Sequence, residues 1–457
     1  MNQAGLTQGP IKDHILKMAV PMGFGLLAVM SFQVIDMIFV GMLGEESLAA
    51  ISFIFPLIFI VLGLGMGIGV GTMSHVGFFL GRQDVQSAKR IATHGLLLVS
   101  ALSLGIAFVG WISIDLTLSS LGIPENIQAP VKRYMEIWYM ASCLIMLPIV
   151  GNSVIRATGD SKTPSLIMSV AGMTNIVLDP LLIFGYGPIP AMGFQGAAIA
   201  TAFSYLLTLI ASLSLLHFKL KMMTAPSWNF HMLQDWKKIL YIGVPVSLTA
   251  SFAPLSQAIL MKFVASEGVF AAAAFGVSFR IEAFATIGIM ALANVMSPIV
   301  SQNYGAQQLE RIEDCFWVSL RWSALWCGGV TLLLIAISQW IGLFFSSEKD
   351  LIKGIALYCW IVPMTYWWQG VLDFLVAVMN SLQQPFLSLM LIVIRLFILT
   401  IPLGYVGVDH WGLEGLYAGR AIANVIAGLL AAFIAFHFIK KSLRPHVSDH
   451  GFILVSK

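Results

Sequence analysis

The sequence predicts an all-α polytopic membrane protein whose twelve transmembrane helices form two pseudo-symmetric six-helix lobes. Three observations predict this fold class: an apolar composition, long runs without charge, and a repeat of the first half of the chain in the second. Of the 457 residues, 58% are hydrophobic and 10% are charged, whereas a soluble domain carries roughly 25% charged residues. The formal net charge of +3 gives no indication of nucleic-acid binding.

Two long stretches contain no Asp, Glu, Lys or Arg: one between Glu46 and Arg82, the other between Asp179 and Lys219. Each is long enough for one or two spans of about 20 residues, and neither has the short alternating segments of a transmembrane β-barrel. The first apolar run is too long for a secretion signal, so we expect it to remain in the mature protein. Charged residues, glycines and prolines separate the apolar runs. These boundaries predict helices at 15–42, 49–80, 91–115, 130–155, 163–185, 193–217, 238–266, 271–301, 315–345, 352–379, 385–407 and 412–438.

The second half of the chain repeats the first at a spacing of 221 to 224 residues. The matching pairs are Ala19-Val20-Pro21 with Gly243-Val244-Pro245, Leu80-Gly81-Arg82-Gln83 with Tyr304-Gly305-Ala306-Gln307, Pro164 with Pro385, and Pro180 with Pro402. With six helices per copy, both halves enter the membrane from the same side, as in transporters with parallel repeats. We therefore expect an N-terminal lobe over 1–218, a linker over 219–237, and a C-terminal lobe and tail over 238–457.

The placement of Lys and Arg predicts the orientation in the membrane. If the N-terminus lies inside, sixteen of these residues fall in cytoplasmic segments and four on the opposite side, namely Lys132, Arg133, Lys349 and Lys353. This bias predicts an inner-membrane protein with both termini in the cytoplasm. A monomer is the default expectation, because each lobe already supplies half of a cavity.

Asp36 lies in an apolar stretch, Met18–Phe39, that carries no other charge. An ionised carboxylate in hydrocarbon costs at least about 2.5–3.5 kcal/mol, so such a group faces a wet cavity, has a partner or takes up a proton. Asp179 lies in a similar setting. The repeat places Leu260 and Ile401 at the matching positions of the second half, so both acids are confined to the first half. This asymmetry indicates a functional cation or proton site more than a scaffold role.

Asn175 and Asp179 are four residues apart and therefore share one helix face. Thr201, on the next helix, adds a hydroxyl. If the first, fifth and sixth helices adjoin, these oxygens and Asp36 form a set suited to a proton relay or to Na⁺, the latter at Asp36, Asn175 and Asp179. Three alternatives stay open: an acid paired with a core arginine, a helix break at Asp179-Pro180, and ordinary interhelical hydrogen bonds by Asn175 and Thr201.

Pro21 lies about four turns before Asp36 on the same helix. A proline inside a helix removes one backbone hydrogen bond and permits a kink. Pro21 is therefore either a hinge that responds to protonation of Asp36 or a fixed bend. The matching Pro245 has no matching acid, which favours the fixed bend.

The second half carries its own intramembrane charges. They are Arg280, Glu282, Asp373, Arg395 and Arg420. Opposite signs predict internal pairing for Arg280, Glu282 and Arg395. Asp373 is a candidate contact for a cationic substrate and equally a candidate partner of Arg395 or Arg420.

Motifs for enzymatic chemistry are absent from the sequence. The stretch Gly159–Thr163 imitates the end of a phosphate-binding loop but lacks its upstream glycine spacing. The four cysteines form no CxxC pair and are expected to be small core residues. We therefore expect a protein that is not an enzyme and that has no cofactor and no resident metal.

Three motifs together resemble the MATE (multidrug and toxic compound extrusion) family over essentially the whole chain. They are Pro21 followed by Gln33-Val34-Ile35-Asp36 and Gly41, the segment Arg156-Ala157-Thr158-Gly159-Asp160-Ser161-Lys162-Thr163-Pro164, and Asn175-Ile176-Val177-Leu178-Asp179-Pro180. The last is similar to the DinF-like branch. The resemblance implies export of small organic cations and amphipathic drugs in exchange for H⁺ or Na⁺, with Asp36, Asn175, Asp179 and Thr201 at the cation site and Pro21 at a bend. Asp373 falls about one residue out of register with a C-lobe acid of the NorM-like branch.

A flippase and a channel are the two alternatives to drug/H⁺ antiport. A flippase for a lipid-linked precursor shares a two-lobe architecture, but it requires several basic groups in its cavity. The few intramembrane cations here all lie in the C-terminal half, which leaves the flippase second. A channel is disfavoured because no filter-like motif or charged ring occurs.

Overall fold

The computed structural model describes residues 5–120, 122–225 and 230–442, and within these ranges it consists of helices joined by short turns. The helices are α1 (Ile11–Met42), α2 (Glu45–Gly81), α3 (Val85–Ile112), α4 (Ile114–Ser120), α5 (Glu125–Met140), α6 (Ser142–Ala157), α7 (Lys162–Ile183), α8 (Phe194–Ser214), α9 (Phe230–Ala265), α10 (Val269–Ala285), α11 (Ile287–Gly305), α12 (Leu309–Phe345), α13 (Lys349–Ile361), α14 (Tyr366–Ser381), α15 (Pro385–Val393) and α16 (Ile401–Ser442). Short 3₁₀ segments lie at Gly5–Thr7 and Pro363–Thr365, and π-helical segments at Leu215–Lys219 and Ile394–Thr400.

These helices make twelve membrane spans in the part of the chain that the structure describes. Nine stretches are individually long and apolar enough to cross a bilayer. The pairs α5–α6 and α10–α11 add two more, each bent by about 45° at a short break. The twelfth arises because Gly412 (φ 57°, ψ −140°) divides the long stretch from Pro385 to His437 into two antiparallel helices. The predicted all-α fold of twelve spans is confirmed.

The repeat predicted from sequence is visible in the backbone. Gly44 and Gly268, 224 residues apart, precede α2 and α10 with nearly the same φ and ψ (114°, 172° and 110°, 172°). Gln83 and Gln307 both adopt a positive φ, near 60°, in the turns that end α2 and α11. Because a non-glycine residue at positive φ is uncommon, its recurrence at one spacing indicates two copies of one fold.

Several helices extend beyond the predicted apolar spans. Helix α3 begins at Val85, α12 at Leu309 and α9 at Phe230. Each begins several residues before the predicted apolar span, which started at 91, 315 and 238 respectively. Helix therefore occupies the last part of the segment that we assigned to the linker. Residues 226–229 of that segment and the tail after Ser442 lie outside the described residues.

Two hydrophobic clusters form the cores of the two halves. One runs from Val40 to Ile239 and the other from Leu260 to Ala435. The second cluster also contains the buried Leu6 of the 3₁₀ segment and four buried side chains from the start of α1: Ile11, Ile15, Met18 and Met22. The first helix is therefore shared between both lobes, and the change of lobe occurs beside Pro21, within a continuous helix.

The two lobes meet at the membrane face where the 3₁₀ segment Gly5–Thr7 lies, which we call the N-terminal face. Gln302 of α11 donates from Nε2 to the carbonyl of Ala157 (2.7 Å) and accepts the Leu6 backbone N–H (3.3 Å). A β-carbon at Gly81 would overlap the carbonyl of Gln302, and one at Gly305 would overlap the carbonyl of Phe78. The absence of side chains on these glycines lets α2 and α11 close this face.

We predict that Gly81→Ala destabilises the protein, although alanine normally stabilises a helix relative to glycine. The added carbon has no room against α11, and overpacking of this kind costs about 1–3 kcal/mol. The measurement is the thermal unfolding midpoint of the purified protein in detergent. The matched control is Gly105→Ala in α3, where a β-carbon has nothing within 4 Å. Equal midpoints for both variants would contradict the tight closure of the N-terminal face.

Candidate functional site

The second half of α1 packs along α7, and this packing positions Asp36. A β-carbon at Gly25 of α1 would lie 2.9 Å from Ser165 Cβ of α7. About two turns further along both helices, a β-carbon at Gly172 of α7 would lie 2.8 Å from the ring of Phe32 in α1. Small residues at helix crossings let backbones approach closely. As a result, Asp36, one turn after Phe32, projects at the level of the carboxyl half of α7.

Asn175 and Asp179 lie one turn apart on α7, and both are fully buried. The amide Nδ2 of Asn175 donates to Asp179 Oδ1 at 3.3 Å and approaches Thr201 Oγ1 of α8 at 3.5 Å. The structure thus places α1, α7 and α8 side by side. It brings together all four side chains proposed from the sequence for the cation site, which we call the N-lobe polar site.

The carboxyl groups of Asp36 and Asp179 lie close enough to share a proton. Asp36 Oδ1, Asp179 Oδ2 and Asn175 Oδ1 are buried, and none accepts a hydrogen bond from any donor among the described residues. Ionised carboxylates supply only acceptors. Two of them in contact therefore require a proton held between them or a cation that both coordinate.

The alternative of a core arginine is not supported. In the described part of the chain, no ion pair involves Asp36 or Asp179. Arg156, the basic residue at the far end of α6, donates instead to Ser153 Oγ at 2.8 Å. Without a fixed counter-charge, the negative charge of the N-lobe polar site is available to a mobile cation.

Tyr134 is a member of the site that sequence reasoning missed. It lies on α5 with 4% of its surface exposed, close enough for the charges of Asp36 and Asp179 to act on its hydroxyl. Its ring stacks on Phe194, the first residue of α8, at a centroid distance of 4.6 Å. A neutral tyrosine in an apolar helix carries no pattern that distinguishes it from a packing residue, so no sequence signal identified it.

The C-terminal lobe pairs its charges differently from our expectation. Glu282 of α10 accepts from Arg420 Nη2 at 2.7 Å and from the Tyr358 hydroxyl at 3.1 Å. Asp373 of α14 lies 3.6 Å from Arg395, one of the two partners proposed for it. Arg280 has no acidic partner among the described residues, so its predicted pairing is wrong. It lies on the opposite side of α10 from Glu282, and Arg420 takes its place.

Comparison with known proteins identifies the family. The MatE family model matches residues 21–181 and 245–406, one stretch in each lobe. The chain is a MATE family transporter. The two matched stretches begin at Pro21 and Pro245, the prolines that the internal repeat pairs. The family consists of transporters, which confirms that the protein is not an enzyme.

Curated relatives cover nearly the whole of this MATE chain. A protein named FAD transporter from Shewanella oneidensis is 33% identical over 94% of this chain and 96% of its own length. The probable multidrug resistance protein YoeA of Bacillus subtilis is 26% identical over 90% of each chain. The multidrug export protein MepA of Staphylococcus aureus is 24% identical over 94% of each.

Solved MATE structures match the fold along its length. The Vibrio cholerae MATE transporter VcmN in the bent form is 26% identical, with a TM-score of 0.88 over 97% of this chain and 98% of that one. An outward-facing multidrug resistance MATE transporter is 25% identical, with a TM-score of 0.90 over 97% and 99%. Assignment to the DinF-like branch remains a prediction.

We predict that Asn175→Leu destabilises this MATE transporter by about 1–3 kcal/mol, because Asp179 then loses its amide donor in a buried position. Thermal unfolding in detergent measures the effect. Asn294→Leu is the matched control, since Asn294 Nδ2 bonds only the carbonyl of Met290 on its own helix. If the two variants unfolded at the same temperature, the Asn175 amide would have no special role in holding Asp179.

Proposed function

We propose that this MATE transporter is a secondary active exporter of small organic compounds, including cationic and amphipathic drugs, by antiport with protons. The observation that carries the proposal is the contact between the carboxyl groups of Asp36 and Asp179, whose buried oxygens lack donors. A site in that condition binds a cation whenever it is closed. Protons and organic cations then compete for the same negative charge.

Protons fit the N-lobe polar site better than Na⁺. A single proton shared between the two carboxyl groups accounts for their close approach and needs no ligand beyond the pair. Sodium remains the alternative at Asp36, Asn175 and Asp179, because these side chains and Thr201 offer hard oxygen ligands. Transport assays with one ion gradient at a time decide between the two ions.

Alternating access follows from the sharing of α1 between the lobes. Its first half packs in the core of the C-terminal lobe, while its second half carries Asp36 against α7. A proton at Asp36 removes the charge that holds a cationic substrate, and deprotonation restores it. Coupling then requires only that proton and substrate favour opposite conformations. In this proposal Pro21 is the hinge of α1.

We infer that the N-terminal face is cytoplasmic, as the distribution of Lys and Arg predicts. The closure of this face by Gln302, Leu6 and the α2–α11 contact then corresponds to a conformation open toward the outside. We further propose an inner-membrane monomer of the DinF-like branch with both termini in the cytoplasm.

The relatives' names support two substrate classes. YoeA and MepA are named for multidrug resistance or export, which supports drug export by this chain. The relative named FAD transporter supports export of flavin adenine dinucleotide as a second candidate. A flippase is less well supported, because Arg395 and Arg420 already pair with acids and are not free to hold a lipid-linked phosphate.

Asp36→Asn is expected to abolish drug resistance in a host strain that lacks its own exporters. The amide keeps the size of the side chain but cannot exchange a proton at neutral pH. Growth on ethidium bromide measures resistance, and membrane abundance and thermal unfolding show that the variant folds. Asp409→Asn is the matched control, since Asp409 is exposed beside His410. Full resistance in the Asp36 variant would remove this acid from the mechanism.

Proteoliposomes distinguish the coupling ions. We expect a proton gradient alone to drive efflux of ethidium, and a sodium gradient alone at equal pH to drive none, because one proton satisfies the carboxyl pair. Loading the same vesicles with flavin adenine dinucleotide tests the second substrate class. Efflux driven by sodium alone would assign Na⁺ to the N-lobe polar site and exclude proton coupling as the main mode.

A further inference from the structure

Arg280 is an intramembrane arginine that the proposed transport cycle does not use. It lies in α10, eleven residues after the helix begins at Val269. Glu282, two residues later, points about 200° away around the helix and is held inside the C-terminal lobe by Arg420 and Tyr358. The nearest acid in sequence is therefore unavailable to Arg280.

The guanidinium of Arg280 makes only weak contacts. Its Nη1 lies 3.5 Å from the carbonyl of Gly276, and its Nη2 lies 3.6 Å from Met37 Sδ. Both distances exceed those of strong hydrogen bonds to a charged donor. Arg395 and Arg420, by contrast, are largely shielded and each has a carboxylate partner. Arg280 is exposed, and most of its donors have no partner in the described part of the chain.

The location of Arg280 relates it to the N-lobe polar site. Met37 belongs to α1 and directly follows Asp36, so the guanidinium reaches from the C-terminal lobe to the helix that carries the carboxyl pair. An unpaired arginine within a span is costly unless it faces water or an anion. The gap between α1 and α10 therefore places positive charge opposite the negative charge of the N-lobe polar site.

The face of α10 around Arg280 has room for an aromatic compound. Phe284, one turn further along, is 36% exposed and lies on the same helix face. Gly276, one turn earlier, leaves open space, since a β-carbon there would meet only Met261 Cε at 3.9 Å. The guanidinium can bind a phosphate or a carboxylate through paired hydrogen bonds. The exposed phenyl ring and the open position beside it leave room for the planar ring that carries this anionic group.

We propose that Arg280 binds the anionic group of an aromatic solute in the gap between α1 and α10. This inference rests on the proposed export function and specifies the substrate class of the same cavity: aromatic phosphates or carboxylates in addition to organic cations. A phosphate from a lipid headgroup has the same chemistry and could enter the same subsite, and the experiment separates the two sources.

The test compares two probes that share one ring system and differ by one phosphate: riboflavin 5′-phosphate and riboflavin. Binding to the purified protein in phosphatidylcholine nanodiscs is followed by flavin fluorescence. We expect the protein to bind the phosphorylated probe about tenfold to a hundredfold more tightly, the range typical of a charge-assisted hydrogen bond. Arg280→Ala should abolish this preference, and Arg280→Lys should retain part of it.

Lys262→Ala is the matched control, because it removes one exposed positive charge from the same lobe but from α9 instead of α10, and it should leave the preference unchanged. Preference for the phosphate in Arg280→Ala equal to that of the unmodified protein would overturn the proposal. So would the absence of any phosphate preference in the unmodified protein.

Nanodiscs that contain phosphatidylglycerol distinguish the source of the anion. If this lipid leaves probe binding unchanged, the subsite serves solutes, as proposed. If it competes with the probe, and Arg280→Ala removes the competition, the subsite serves lipid headgroups and the solute proposal is overturned. Binding is measured without any ion gradient, so a failure of proton-coupled export would not affect this readout.

Discussion

The close approach of two carboxyl groups, Asp36 on α1 and the buried Asp179 on α7, is the constraint on which the rest of the structure depends. Two ionised carboxylates cannot remain in contact in a low-dielectric site without a cation, because their repulsion and desolvation both oppose it. The small residues Gly25 and Gly172 bring the helices together, and Asn175 supplies a neutral donor where a basic residue would have neutralised the charge permanently. In the proposed function, the absence of a fixed counter-charge is what lets the site bind a cation and release it again.

This constraint explains why the pseudo-symmetry is broken at one place. The backbone angles match closely between the halves in the turns after α2 and α11 and at the glycines before α2 and α10. This match is expected where the helices of both copies pack in the same way. The position matching Asp36 is Leu260, which is buried in the C-terminal core. Because α1 packs its first half in that core and its second half against α7, one continuous helix connects the acid to the other lobe.

Most of the fold followed from the sequence because bilayer thickness fixes the length of an apolar run. The pairing of Asn175 with Asp179 followed from their spacing on one helix. Other features depend on tertiary contacts that no local pattern encodes. Tyr134 reaches the acids only through the packing of α5 on α8. Glu282 pairs with Arg420, 138 residues away, and not with Arg280, two residues away, because helix rotation sends positions i and i+2 to different faces.

The paired charges of the C-terminal lobe support the proposal that ion coupling belongs to the N-terminal lobe. Glu282 already has a guanidinium and a tyrosine hydroxyl as partners, and Arg420 also lies over the ring of Phe275. Breaking one half of such a buried pair leaves an uncompensated charge and costs about 3–5 kcal/mol. A network of that kind is suited to fixing the orientation of α10 against α13 and α16. The N-lobe polar site differs, because no ion pair involves Asp36 or Asp179 among the described residues. The proposed antiport requires that property, since a coupling site must bind and release its ion in every cycle.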